Sequence, residues 1–259
     1  PKLVRAGFVG IIYSTPETKE LANLMLQDAS RLQVEQSEKE KIHPLYDEKD
    51  YLKAMSLWKT IPYHKDTELA PGYSVYLKDA GHVLGSSMFE LTVTRKMTNQ
   101  KDGGSLGEKK TKVVFTGDLG NSPTPLLRDT EDIVGAEYVV MESVYGDKNH
   151  EDESSRSVKL REILLKTAKQ KGVLIIPAFA IERTQQLLYE LNHLIEHHDV
   201  PQMDVYLDSP MAIGATEVIR DFPQYYDVDA LKEVSSGDDL FDFPGLHVCR
   251  TREDSKVIN

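Results

Sequence analysis

At 259 residues the chain has room for one large or two medium domains, and its 40% apolar and 28% charged content excludes a disordered or low-complexity class. A single cysteine, Cys249, excludes both a disulfide framework and a thiolate-rich metal cage, so any metal must be held by histidine and carboxylate. The net charge of −11 on its own opposes a phosphate-backbone partner, although an acidic site that fixes cations attracts phosphate locally. No apolar run is long enough to span a bilayer, so no membrane partner is expected, and the cysteine usage fits a reducing, cytoplasmic compartment. The opening Pro1-Lys2-Leu3-Val4-Arg5 has neither an apolar signal core nor an initiator methionine and reads as a fragment boundary.

In chain order, Ile11-Ile12-Tyr13 reads as the end of a buried strand. Thr15 and Pro16 then serve as N-cap and first position of a helix whose Leu21, Leu24, Met25, Ala29 and Leu32 recur at helical spacing. Residues 36–41 are charged and form a solvated continuation or loop. A second helix covers residues 47–58 with Tyr51, Leu52, Met55 and Trp58 inward. Residues 73–77, 88–94 and 112–116 read as strands, the last two joined by an exposed hairpin loop over residues 98–110. Residues 138–141 are apolar enough to be a strand buried on both faces. Beyond Asp147 the pattern alternates: a helix with Val158, Leu160, Ile163, Leu164 and Ala168, a strand at 173–176, a helix with Leu187, Leu188, Leu191 and Leu194, and strands at 204–207 and 246–249. Such alternation implies a parallel sheet. A soft boundary near residues 147–157 divides the chain into domains 1–150 and 151–259.

Three segments share one design, in which an apolar strand ends in a small-residue turn bearing one metal-competent or acidic side chain. They are Gly81-His82-Val83-Leu84-Gly85-Ser86-Ser87, Phe115-Thr116-Gly117-Asp118-Leu119-Gly120 and Met141-Glu142-Ser143-Val144-Tyr145-Gly146-Asp147. Strand ends are where a rigid sheet can position reactive groups while the loops admit substrate. One His, one Asp and one Glu so presented suit a borderline-hard metal. Each turn alone is commonplace; the three together, in this order, are specific. His193 and His197 stand four apart on a helix, but a polar outer face explains them better than metal binding.

These segments resemble the metallo-β-lactamase/β-CASP nucleases. The His82 turn is similar to that family's third metal motif, the Asp118 turn to its fourth and the Glu142 turn to the first β-CASP motif. Gly7-Phe8-Val9-Gly10-Ile11-Ile12-Tyr13-Ser14-Thr15-Pro16 resembles the segment that follows the first metal motif. Ile176-Pro177-Ala178-Phe179-Ala180-Ile181-Glu182-Arg183-Thr184-Gln185 and Tyr206-Leu207-Asp208-Ser209-Pro210-Met211-Ala212 resemble the β-CASP insert, and Arg252-Glu253-Asp254-Ser255-Lys256 with Asn259 its later helix. The likeness therefore covers nearly the whole chain. The family's His-x-His-x-Asp-His motif and its two later β-CASP histidine motifs are not found.

The resemblance implies an α/β fold: a partial αββα metallo-β-lactamase domain, lacking N-terminal strands, joined to an α/β, parallel-sheet β-CASP domain. It implies that His82 ligates one metal, that Asp118 bridges two, and that the catalytic carboxylate Glu142 orients a histidine. It also implies two Zn2+ ions in the complete enzyme, about 3.5–4 Å apart, sharing a hydroxide that attacks phosphorus in line. The remaining ligands are expected outside this chain, and the 259-residue polypeptide alone is expected to be inactive and marginally stable. Single-stranded RNA is the expected partner, ahead of DNA, with endonucleolytic and exonucleolytic action and homodimerisation both left open. Arg183 and His150 are candidate RNA contacts, whereas Phe179 is expected in the core. Two alternatives are a non-catalytic β-CASP scaffold, against which the retention of His82, Asp118 and Glu142 argues, and a small-ester hydrolase of the same fold. The insert of about 110 residues after Asp147 exceeds what a small-substrate pocket needs.

Overall fold

The structure, a computed structural model, describes residues 1–98, 105–149, 154–197 and 199–258. It divides into two compact units, Pro1–Thr124 with Arg128–Ser143, and Pro125–Leu127 with Val144–Asn259.

In the first unit a short helix α1 (Lys2–Arg5) precedes strand β1 (Ile12–Ser14) and the long helix α2 (Pro16–Glu40). The Thr15 hydroxyl accepts from the Thr18 amide and Pro16 occupies the first helical turn, so the start of α2 is fixed by local chemistry. The helix runs through residues 36–40, where a loop was one of two expectations, and Lys41 closes it in the left-handed conformation. Helix α3 (Glu48–Ser56) carries a full capping box from Asp47 and Asp50. Tyr51 and Ala54 of α3 are buried. Leu52, expected inward, is exposed, as are Met25 and Leu32 of α2. Each helix buries a narrower stripe than its apolar periodicity suggests.

Strand β2 (Trp58–Thr60) pairs in parallel with β1. The main sheet has the order β3 (Thr67–Ala70), β4 (Tyr73–Asp79), β5 (Ser87–Thr98), β6 (Ser105–Phe115), β7 (Tyr138–Val140), antiparallel except for β6 with β7. Alternation along β4 sends Val75 and Leu77 to a cluster with Ile61. Met88 of β5 and Val114 of β6 enter a second cluster with Ala80. Both faces of the sheet are therefore packed. Glu90, buried on the Met88 face, is held by Lys112 at 3.0 Å and Lys78 at 3.7 Å.

Two expectations fail in this sheet. The β5–β6 ladder continues as far as Thr98 opposite Ser105, so the connection is much shorter than a loop over 98–110; residues 99–104 lie outside the described ones. Strand β7 is not buried on both faces. Among the described residues it is an edge strand bonded only to β6, with Tyr138, Val139 and Val140 exposed.

The second unit is built on helices α4 (Ser154–Gln170), α5 (Arg183–Glu196), α6 (Pro210–Arg220) and α7 (Val228–Ser236), the last two joined through a 3-10 turn at Pro223–Tyr225. Leu188, Leu191, Leu194 and Ile195 of α5 and Ala212, Ala215 and Ile219 of α6 are buried, as are Leu240, Phe241 and Phe243. Leu126 and Leu127 are buried too. The Asp227 amide donates to the Leu126 carbonyl at 2.9 Å, and Leu127 forms a bridge with Tyr226. Strands β8 (Val205–Leu207) and β9 (Leu246–Val248) pair in parallel, and helix α8 (Arg252–Lys256) follows with a Thr251 capping box.

Residues 173–176 are not a strand, contrary to their β-branched composition. Val173 and Ile175 are 89% and 84% exposed, and no described strand pairs with them. A strand exists only where a neighbour takes its hydrogen bonds, so composition alone cannot make one. No helix among the described residues is long and apolar enough to cross a membrane.

Candidate functional site

The three turns singled out in the sequence meet in the first unit, at one end of the main sheet. The His82 turn follows β4, the Asp118 turn follows β6 and Glu142 follows β7. Because β4, β6 and β7 belong to one hydrogen-bonded sheet, their ends are held in fixed relation by the ladder rather than by side-chain packing. His82 Nε2 lies 3.9 Å from Asp118 Oδ2, and both side chains are open to solvent.

Backbone contacts that only small residues permit hold the turns together. Gly81 has φ of +61°, and a Cβ on it would strike the backbone of Thr130. The Gly120 amide donates to the Ala80 carbonyl at 2.8 Å, and a Cβ on Gly120 would be driven into the Gly81 carbonyl. The histidine and aspartate turns are thus pressed backbone to backbone. The Ser86 hydroxyl accepts from the His82 amide at 3.1 Å and the Val83 amide at 3.2 Å, fixing where the imidazole leaves the chain. On the far side of the loop, the hydroxyls of Thr15 and Thr18 both donate to the Gly85 carbonyl, anchoring it to the start of α2.

Glu142 closes the arrangement. Its Oε1 accepts from the Leu119 amide at 2.6 Å, next to Asp118. The Thr116 hydroxyl, fully buried, donates to the Gly117 carbonyl at 2.7 Å and accepts from the Glu142 amide at 3.4 Å. An ordered carboxylate and an ordered hydroxyl therefore brace the aspartate turn from behind.

A second polar chain supports the histidine turn. Asp79 Oδ1 accepts from the Gly81 amide at 3.0 Å, while Glu131 Oε2 accepts from the Asp79 amide and lies 2.7 Å from His64 Nε2. Burial, reinforced by the charge of Glu131, pushes the Asp79 carboxyl up to about 6, against the opposing Gly81 hydrogen bond. Burial also pushes Glu131 up, but the hydrogen bonds from His64 and the Asp79 amide outweigh it and hold that carboxyl below its usual value.

These supporting residues escaped the sequence reading. Ser86 and Thr116 stand inside the quoted motifs, and a hydroxyl among glycines in a turn was their only signal. Asp79, Glu131 and His64 are scattered in sequence and form a cluster because two loops bond back to β4, His64 N to the Leu77 carbonyl and Glu131 N to the Asp79 carbonyl.

The other singled-out residues lie in the second unit or outside the described residues. Arg183 is the first residue of α5, exposed, with Nη1 donating to Gln186 Oε1 at 3.0 Å. Phe179, expected in the core, is 82% exposed. Its carbonyl is taken by the Thr184 amide and hydroxyl, so its backbone is fixed while the ring is left outside. His150 lies outside the described residues. His193 and His197 serve structure: His193 Nε2 meets Glu233 Oε2 at 3.0 Å and His197 Nδ1 meets the His193 carbonyl at 2.8 Å.

His82 and Asp118 are of the donor types that bind a divalent metal, and their 3.9 Å separation lets one ion reach both. A closed zinc site needs about four donors, and no group of three or more His, Cys, Asp or Glu side chains able to hold a metal exists among the described residues. The described residues thus supply part of a coordination shell and do not complete one.

Residues 184–259 match the family model described as Beta-Casp domain. Ribonuclease TTHA0252 of Thermus thermophilus is 30% identical over 259 residues, which is 100% of this chain and 54% of that protein. Transcription termination factor FttA of Thermococcus kodakarensis is 29% identical over 84% of this chain and 31% of its own length. Cleavage and polyadenylation specificity factor subunit 3-I of Arabidopsis thaliana is 28% identical over 81% of this chain and 28% of its own length. The chain spans about half the length of the first of these relatives and about a third of the other two. Nucleases of this kind depend on metal, and the paired His82 and Asp118 turns are consistent with that dependence. On its mixed α/β fold, its Beta-Casp region and these relatives, the chain belongs to the metallo-β-lactamase/β-CASP family.

Proposed function

We propose that this chain carries part of the active centre of an RNA-processing nuclease that hydrolyses phosphodiester bonds in single-stranded RNA. The observation that carries the reading is the 3.9 Å approach of His82 Nε2 to Asp118 Oδ2, with Glu142 Oε1 bonded to the adjoining Leu119 amide. His82 and Asp118 are two donors to a metal, zinc in this reading. Glu142 is a positioning carboxylate that keeps the aspartate turn in place. Arg183 supplies a phosphate contact on the Beta-Casp side, and His150 a second one. The work takes place in the cytoplasm.

RNA is preferred to DNA because the relatives bear the names of a ribonuclease, a transcription termination factor and a cleavage and polyadenylation factor. A non-catalytic scaffold is the second reading. It is favoured by the finding that the described residues hold no third metal donor beside His82 and Asp118.

The two readings separate in an assay of the longest polypeptide that the gene encodes around this chain. Labelled single-stranded RNA and DNA of matched sequence are incubated with zinc and, in parallel, with a chelator. Cleavage of RNA that the chelator stops supports the nuclease. Intact RNA, with bound zinc shown by elemental analysis, selects the scaffold, and equal cleavage of DNA removes the preference for RNA.

A further inference from the structure

The second unit contains an open cleft of about 610 Å³ that no part of the metal-donor arrangement uses. Leu160, Pro177, Phe179 and Leu187 form its apolar wall, and Arg156 and Arg183 also line it. The volume falls within the range of small-ligand pockets, roughly 300–1,000 Å³.

The placement of Phe179 calls for an explanation. An aromatic ring left 82% exposed forgoes much of the stabilisation that burial would give it. The backbone that carries the ring is nevertheless held in place. The Thr184 amide and hydroxyl bind the Phe179 carbonyl at 3.2 and 2.8 Å, and the fully buried Gln185 Nε2 donates to the Ala180 carbonyl at 3.1 Å and to Thr216 Oγ1 at 2.9 Å. A fixed backbone thus presents an exposed aromatic ring just before a helix, in a cleft that two arginines also line, an arrangement suited to stacking on a flat ring.

Charge complementarity selects the class of ligand. Two arginines and one exposed aromatic ring lining the same cleft match a phosphate attached to a base. The first two amides of α5 are already occupied, since Arg183 N bonds the Ile181 carbonyl and Thr184 N the Phe179 carbonyl. Anion recognition therefore falls to the guanidinium groups. Glu190 also lines the cleft, but seven residues after Arg183 it stands about 10 Å along the helix axis, away from the phosphate end.

We propose that this cleft is a nucleotide subsite for single-stranded nucleic acid, with the base stacked on Phe179 and its phosphate held by Arg183 and Arg156. The inference rests on the nuclease reading and adds to it a defined place in the second unit where the strand is gripped. Stacking reads the π-face and not the 2′-hydroxyl, so the subsite accepts RNA and DNA alike.

The test is fluorescence anisotropy of a short labelled oligouridylate, and of the matching oligothymidylate, titrated with the 259-residue chain at several salt concentrations. Phe179→Ala should weaken binding about 5-fold or more with an unchanged salt slope, the loss expected for one stacked base. Arg183→Gln and Arg156→Gln should each weaken binding and flatten the plot of log affinity against log salt by about 0.7. Phe179→Trp should keep the affinity, and its added fluorescence should be quenched by the oligonucleotide, whereas Trp58 serves as the unaffected reference. Unchanged affinity in Phe179→Ala, or no quenching in Phe179→Trp, overturns the subsite. Absence of any oligonucleotide binding also overturns it. Asp118-dependent cleavage by the longer polypeptide is scored separately, so the nuclease reading can survive the loss of the subsite.

Discussion

The Glu142 carboxylate accepts the Leu119 amide at 2.6 Å and so ties the end of β7 to the turn that carries Asp118. The bond spans 23 residues of sequence and joins two strand ends that are already neighbours in the sheet. Its effect is to remove freedom from the one loop whose side chain faces His82.

Removing that carboxylate should loosen the turn without breaking the sheet. Glu142→Ala is expected to cost about 1.5–3 kcal/mol, the value of a hydrogen bond to a charged group. Glu142→Gln, which keeps an acceptor oxygen, should lose less than half as much. Urea denaturation of the two variants beside the parent chain measures the difference, and equal losses would mean that the bond to Leu119 is immaterial.

The contact between the histidine and aspartate turns predicts a sharp contrast between two glycines. Gly120→Ala forces a methyl group into the Gly81 carbonyl and should destabilise by about 3 kcal/mol or more, at the upper end for overpacking. Gly135→Ala meets open space and suffers only from its positive φ of +69°, a penalty of about 1–2 kcal/mol. Thermal melts of the two variants should order them that way.

What could be read from the chain in advance follows the range of the interactions involved. The turns at His82, Asp118 and Glu142 were recognisable because a strand end, a glycine and a functional side chain lie within a few residues of one another. The caps at Thr15 and Pro16 are equally local. The unpaired state of residues 173–176 and the exposed face of β7 are not legible in composition, because whether an apolar segment is paired or covered depends on distant partners. Phe179 was misplaced for the same reason. Its environment is set by Thr184, Gln185 and α6, not by its neighbours in the motif. The chain joining Asp79, Glu131 and His64 depends on the paths of two loops, one before β3 and one after β6, that bond back to β4.

Glu182 makes the stability of the second unit depend on pH. It is buried, with Oε2 lacking a hydrogen-bond partner, and its φ of +69° is strained for any residue but glycine. Burial pushes its carboxyl up to about 7, against the Gln186 hydrogen bond and the charge of Arg183. Because the folded value lies above the unfolded one, the native state retains a proton that the unfolded chain has released. Stability should therefore fall as pH rises from about 4.5 to 7, by about 3 kcal/mol, and level off above. Glu182→Gln should remove that slope, and Glu182→Gly should in addition relieve the backbone strain and raise the melting temperature at pH 8. Denaturation midpoints measured across this pH range decide it; an unchanged slope in Glu182→Gln would assign the dependence elsewhere.

The incomplete donor set predicts weak metal binding by the 259-residue chain. Zinc titrated calorimetrically should bind at His82 and Asp118 with low affinity and disappear in either alanine variant. Glu142→Ala should weaken it by about 10-fold, as expected when a residue that positions a ligand is lost. Tight zinc binding that survives His82→Ala would place the metal at other residues.

The central claim is that Asp118 and His82 are metal donors of an RNA-cleaving centre. The most direct measurement is single-turnover cleavage of labelled single-stranded RNA by the longest polypeptide encoded around this chain, with saturating zinc, comparing the parent with Asp118→Ala. The account predicts that cleavage falls by about 10³-fold or more, the scale of losing a group that stabilises the transition state, while RNA binding is retained. Cleavage by Asp118→Ala at the parent rate would contradict it.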